Sequence, residues 1–118
     1  MRVLFVEDNP DVREAVAVLL QEQALEVLTC ASAESAEAAF SAGRFDLLLT
    51  DVSLPAMSGV ELARRLLRQR PELWVVFLSG YAMEAHLETL GPRVRCLRKP
   101  FHPEALHGLI EDIRTRLA

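Results

Sequence analysis

Five short apolar runs punctuate the chain: Val3 to Val6, Val27 to Cys30, Leu47 to Leu49, Trp74 to Leu78 and Val94 to Leu97. Each is continuous rather than alternating and too short for a helix, which suits strands covered on both faces of a parallel sheet. Between the runs, apolar residues return at helical spacing. Val12, Ala15, Val16, Leu19 and Leu20 predict a first helix that starts at the Asn9-Pro10-Asp11 turn and runs to about Glu22. Ser32, Ser35 and the alanine-rich run Ala36 to Ala42 predict a second, stopped by Gly43. Val60, Ala63, Leu66 and Leu67 give the inner face of a third, closed by Pro71, and Met83 to about Leu90 a weaker fourth before Gly91-Pro92. Pro103 to Leu117, with Leu106, Leu109, Ile110 and Ile113 inward, closes the chain. Alternating strands and helices imply parallel strands, right-handed crossovers and helices on both faces.

Most of these strands hand over to a polar residue: Glu7 and Asp8 after the first, Asp51 after the third, Ser79 after the fourth and Lys99 after the fifth. In an open α/β sheet the crevice beyond the carboxyl ends of the strands is where ligands bind. Three carboxylates brought together there repel one another and are tolerable only if protonated, solvated or bridged by a cation. Oxygen-only ligands favour a hard ion such as Mg²⁺, which takes one or two carboxylates and binds phosphate. A carboxylate is also a nucleophile toward phosphorus. Asp51 is therefore the candidate phosphoryl acceptor, Asp8 a metal ligand, and Lys99 and Ser79 the cation and donor for phosphoryl oxygens.

Length and composition fit one soluble domain: 118 residues, 51% hydrophobic and 25% charged. A net charge of −4 speaks against non-specific binding to nucleic acid or an anionic membrane. Lys99 is the only lysine among thirteen basic residues. Two distant cysteines, Cys30 and Cys96, form neither a disulfide framework nor a metal motif and point to a reducing compartment. With no membrane-length apolar run and no signal-peptide organisation, the expected location is the cytoplasm.

Four motifs in order, Val6-Glu7-Asp8-Asn9, Asp51 with Pro55 and Gly59, Leu78-Ser79-Gly80, and Lys99-Pro100-Phe101, make the whole chain resemble the response-regulator receiver domains of two-component signalling. The resemblance implies a doubly wound, flavodoxin-like (βα)5 fold, a single domain over 1–118, and a five-stranded sheet of order 2-1-3-4-5. It implies that a histidine kinase or phosphotransfer protein phosphorylates Asp51. Asp8, Asp51 and the Ser53 backbone carbonyl would hold Mg²⁺, with Glu7 assisting through water. Ser79 would be the switch hydroxyl, Lys99 the ion-pair partner, and the Lys99-Pro100 bond is often cis in this family. Such a domain is a signalling module rather than a conventional enzyme, monomeric or weakly dimeric, sometimes tethered to a kinase or output domain. Two departures stand out. Cys96 occupies the position where receivers usually carry a switching aromatic, and the stretch from Ser79 to Lys99 is short, with Gly91-Pro92-Arg93 in place of the usual small-residue turn. Tyr81 is expected to shield the phosphoryl group from water.

Each residue also has an ordinary reading. Glu7 and Asp8 alone would be a solvated turn, Asp51 a loop cap, Ser79 a loop serine and Lys99 a surface lysine; only the set changes that. His86, His102 and His107 lack partners at metal-ligand spacing. Met57 and Met83 read as packing residues, and Arg64, Arg65, Arg68 and Arg70 as a solvated helix face. A flavodoxin-like carrier is disfavoured because Glu7-Asp8 would repel a phosphate, and a dehalogenase-type phosphatase because Ser53 stands where its second acid belongs. A receiver that binds partners without phosphorylation remains the main alternative.

Overall fold

The computed structural model describes residues 1–80 and 87–117. Five strands, β1 (Arg2–Val6), β2 (Glu26–Cys30), β3 (Leu47–Asp51), β4 (Trp74–Ser79) and β5 (Val94–Arg98), form one parallel sheet of order β2-β1-β3-β4-β5. Among the described residues, four helices pack on it: α1 (Pro10–Gln21), α2 (Ala33–Ala42), α3 (Gly59–Gln69) and α4 (Pro103–Leu117). The expected fold and strand order are therefore both present.

Period-two alternation along the strands builds two cores, one on each face. Leu4, Val6, Leu48, Val75 and Phe77 point toward α2 and α3, where Ala36, Phe40, Leu62 and Leu66 meet them. Val3, Phe5, Leu49, Val76 and Leu78 point the other way, onto Val16 and Leu20 of α1 and Leu106, Ile110 and Ile113 of α4. Being central, β3 and β4 are buried along their whole length, which is why their sequences are continuous apolar runs. The edge strand β2 leaves Leu28 and Thr29 exposed.

Each of the first three helices starts on a side-chain cap. Asn9 Oδ1 accepts from the backbone N–H groups of Asp11 (2.9 Å) and Val12 (3.1 Å), Ser32 Oγ from that of Ser35 (3.1 Å), and Ser58 Oγ from that of Glu61 (3.1 Å). Caps of this kind contribute about 1 kcal/mol each. Several local expectations need correction. In the first helix Val12 and Ala15 lie on the exposed side, because only Val16 and Leu20 face the sheet squarely. Of the segment Met83 to Leu90, residues 83–86 lie outside the described part, and Glu88–Leu90 form a single 3-10 turn behind the buried Leu87. Arg70 is a staple rather than a solvated residue: its guanidinium donates to the Phe45 carbonyl at 2.7 Å and pairs with Glu72. Arg65 links α3 to α2 by pairing with both Glu61 and Glu37.

Two backbone positions have opposite requirements. Ala24, in the turn after α1, has φ 60°, a left-handed conformation in which the Cβ is strained. Gly59 has no such φ, but a Cβ there would lie 1.8 Å from the Asp51 carbonyl oxygen, a backbone atom that cannot turn aside. Ala24→Gly is expected to stabilise the protein by about 0.5–1 kcal/mol, strain relief outweighing added unfolded-state entropy. Gly59→Ala should destabilise by at least about 1–3 kcal/mol through overpacking. Urea denaturation of the two variants tests both signs.

Candidate phosphoacceptor site

Parallel strands end on the same side, so the four polar termini meet at one edge. Asp51, the last residue of β3, is 6% exposed, Ser79 at the end of β4 is 4% exposed, and Glu7, just past β1, is 2% exposed. Asp8 is exposed and leans over the same spot: carboxylate oxygens of Glu7, Asp8 and Asp51 lie within 4.8 Å of one another. Lys99, one residue past β5, sends its ammonium to Asp51 Oδ1 at 2.5 Å and to Glu7 Oε1 at 3.6 Å. Asp51, Ser53, Ser79 and Lys99 line a cleft of about 190 Å³. The structure thus brings together Glu7, Asp8, Asp51, Ser53, Ser79 and Lys99, whereas Cys96 does not line the cleft and Tyr81 lies outside the described residues.

The acids are not equivalent. Glu7 turns inward: its Oε2 accepts from the Asn9 backbone N–H (3.1 Å), and its own carbonyl accepts from the Arg13 guanidinium (2.8 Å). Glu7 Oε1 and Asp51 Oδ1 are buried without a directional hydrogen bond among the described residues, although the Lys99 ammonium lies beside both. Burial, then contact with the neighbouring Asp51 carboxylate, pushes the Glu7 carboxyl above its ordinary pKa despite the opposing effect of Lys99. For Lys99, burial alone would lower the pKa, but pairing with Asp51 and Glu7 outweighs it and the net direction is upward. Among the described residues one cation, Lys99, is thus shared between the two buried acids, while Asp8 stands exposed beside them.

That arrangement fits a hard divalent cation. The ligand atoms are all oxygen, the cluster carries excess negative charge, and its two buried oxygens, Glu7 Oε1 and Asp51 Oδ1, share the Lys99 ammonium and have no other partner among the described residues.

Several positioning groups gave no clear signal in the sequence. The buried Thr50 hydroxyl donates to the Asp51 carbonyl (3.0 Å), and the Gly59 N–H donates to the Val52 carbonyl (3.0 Å), so the loop after β3 is pinned at both ends. Glu34 of α2 accepts from the Met57 N–H at 3.3 Å. At the far side, the Lys99 N–H donates to the Ser79 carbonyl at 2.7 Å, and the Lys99-Pro100 bond is cis. Cys96 sits half-buried on β5, opposite Phe77 in the sheet register and against the α2/α3 core; neither it nor the buried Cys30 is in a disulfide.

Comparison with known proteins agrees with this geometry. The model of the response regulator receiver domain family matches residues 3–111, and the chain belongs to that family. It is 35% identical over 118 residues to the response regulator receiver protein CpdR of Brucella abortus, covering 98% of this chain and 96% of that protein. The cell cycle response regulator CtrA of Brucella ovis is 30% identical, and the chain spans 51% of its length. Among solved structures, TrrA of Thermotoga maritima, in complex with Mg²⁺-BeF, superposes with a TM-score of 0.85 at 25% identity, covering 95% of this chain and 97% of that one. Chemotaxis protein CheY4 of Vibrio cholerae gives 0.84 at 30% identity, covering the same shares. This is a receiver domain of the two-component class, and no helix among the described residues is long and apolar enough to cross a membrane.

The raised pKa of Glu7 has a definite sign. A carboxyl whose folded pKa lies above its unfolded value favours the fold while protonated, and that contribution is lost as pH rises through the folded pKa. At neutral pH without divalent ions, Glu7→Gln should therefore raise Tm. Mg²⁺ should raise the wild-type Tm, by about 1.4 kcal/mol of stabilisation at ten times Kd. Asp8→Asn should shift that response to higher Mg²⁺ concentration. Differential scanning calorimetry with and without Mg²⁺ checks both expectations.

Proposed function

We propose that Asp51 accepts a phosphoryl group from the phosphohistidine of a histidine kinase or phosphotransfer protein, and that the phosphorylated form changes which partner the domain binds. The observation that carries this is the buried Asp51 carboxylate, 2.5 Å from the only lysine of the chain and clustered with two further acids at the carboxyl ends of the strands. Residues 1–118 act in this reading as one receiver domain, located in the cytoplasm.

Asp8, Asp51 and the Ser53 carbonyl would hold Mg²⁺, with Glu7 behind them; the Mg²⁺-BeF complex of the relative TrrA supports the choice of ion. Bound there, the ion would neutralise charge on the oxygens of the transferring phosphoryl group. An Asp51 oxygen attacks phosphorus as the P–N bond breaks; the electron pair leaves with the imidazole, and a mixed carboxyl-phosphate anhydride remains. Lys99 then pairs with one phosphoryl oxygen, and the Ser79 hydroxyl turns to donate to another. Because the domain itself carries the phosphoryl group, it is a substrate of the relay rather than a conventional enzyme. With Cys96 in place of an aromatic ring, movement of Ser79 passes into β5 through the Ser79–Lys99 backbone hydrogen bond rather than through a rotating side chain.

Incubation with Mg²⁺ and either acetyl phosphate or a phosphohistidine donor, followed by intact-mass measurement, tests the assignment. One acid-labile phosphoryl adduct is expected on the wild type and none on Asp51→Asn. A wild type left unmodified by both donors would favour a receiver that binds partners without phosphorylation, and an undiminished adduct on Asp51→Asn would move the acceptor elsewhere.

A further inference from the structure

Charge is unevenly distributed along this acidic chain. Residues 1–51 carry ten acidic and three basic side chains, whereas residues 52–100 carry eight basic and four acidic. Most arginines of the structure are paired or anchored: Arg2 with Glu26, Arg65 with Glu61 and Glu37, Arg70 with Glu72, Arg114 with Glu111, and Arg116 with Asp112. Arg64 and Arg68 are different. Both are exposed on α3 and make no ion pair or hydrogen bond among the described residues. Spaced four apart, they stand one turn apart on one helix face, where like charges repel.

Between them the surface is concave. Arg64, Leu67, Arg68 and Leu90 line an open groove of about 360 Å³. Leu67 and Leu90 are partly buried and packed against the α2/α3 core, so its apolar floor is held in place from beneath. A fixed apolar floor flanked by two unpaired guanidiniums matches an acidic segment with an apolar anchor: the anchor fills the groove, and carboxylates on either side form charge-assisted pairs with the arginines. Nucleic acid fits less well, because the floor is aliphatic and offers no stacking surface and the protein as a whole is anionic. Two arginines also fall short of the polybasic cluster that holds an anionic membrane.

We propose that the groove between α3 and the Glu88–Leu90 turn is a docking site for an acidic polypeptide segment carrying an aliphatic residue between carboxylates. It lies apart from the Asp51 cleft, and docking there requires no phosphorylation.

The probe is a set of labelled decapeptides, each with one central leucine or isoleucine flanked by glutamates or aspartates, titrated into the full chain by ¹⁵N NMR and fluorescence anisotropy. Saturable binding is expected, with shifts concentrated at Arg64 to Arg68 and at Leu90, and with affinity falling as salt rises. The double variant Arg64→Ala/Arg68→Ala should weaken binding at least tenfold, as should glutamine in place of the peptide's glutamates. Arg114→Ala/Arg116→Ala, which removes the same charge elsewhere, should leave it within twofold. Absence of saturable binding by every peptide, equal loss in the control variant, or tighter binding of a single-stranded oligonucleotide or phosphatidylglycerol vesicles through the same two arginines would each overturn the proposal. The second double variant separates local recognition from net charge; because Arg114 also donates to the Gln23 carbonyl at 2.7 Å, the ¹⁵N spectrum of each variant is first checked for an intact fold.

Discussion

Repulsion among Glu7, Asp8 and Asp51 is the constraint around which the upper edge of the molecule is built. Parallel pairing forces β1 and β3 to end side by side, with Val6 opposite Thr50 in register, so acids placed just beyond each end cannot avoid one another. Lys99 is delivered to the same spot by β5, two strands away. The protein confines the repulsion rather than removing it. One Glu7 oxygen is occupied by the Asn9 N–H, and the same Asn9 side chain caps α1, so the geometry of the acid and the start of the helix are fixed together. Thr50 and Gly59 hold the backbone on the other side of Asp51. A rigid surround of this kind keeps an electrostatically unfavourable cluster ready for a cation or a phosphoryl group.

The strands were legible in the sequence because two-sided burial writes itself as continuous apolar runs, and the site because each run hands over to a polar residue. Less visible was anything fixed by contacts across space. Nothing local marks Gly59 as the point where α3 presses on the Asp51 carbonyl, or Thr50 as its hydrogen-bond donor. The difference between Glu7 and Asp8 was hidden for the same reason: adjacent acids look alike in a sequence, whereas the turn buries the first and exposes the second. Val12 misled because helical spacing shows that a stripe exists, while its edges depend on how α1 sits on the sheet. The four arginines of α3 and its C-cap read as one solvated face and separate into three roles: Arg70 staples the approach to β3 at Phe45, Arg65 ties α2, and Arg64 and Arg68 have no ion pair among the described residues.

Those different roles bear on how the Asp51 cleft and the proposed groove on α3 are separated within one small domain. Asp51 and the start of α3 are joined by a loop held at several points, by Thr50, Gly59, Ser58 and Glu34. Rearrangement at Asp51 therefore meets resistance before it reaches the middle of α3, and the Arg65 bridges to α2 stiffen the helix further along. On the opposite side of the cleft, β4 and β5 are paired from Val75 to Ser79, the Lys99 N–H donates to the Ser79 carbonyl, and Arg95, Cys96 and Leu97 of β5 are half-buried. On the proposed function, a signal leaving Asp51 would have one route along this side of the cleft, through the paired strands β4 and β5. At Cys96 that route carries no ring to swing between a buried and an exposed position, so on this reading displacement there would pass through the hydrogen-bonded strand backbone, where Cys96 stands opposite Phe77.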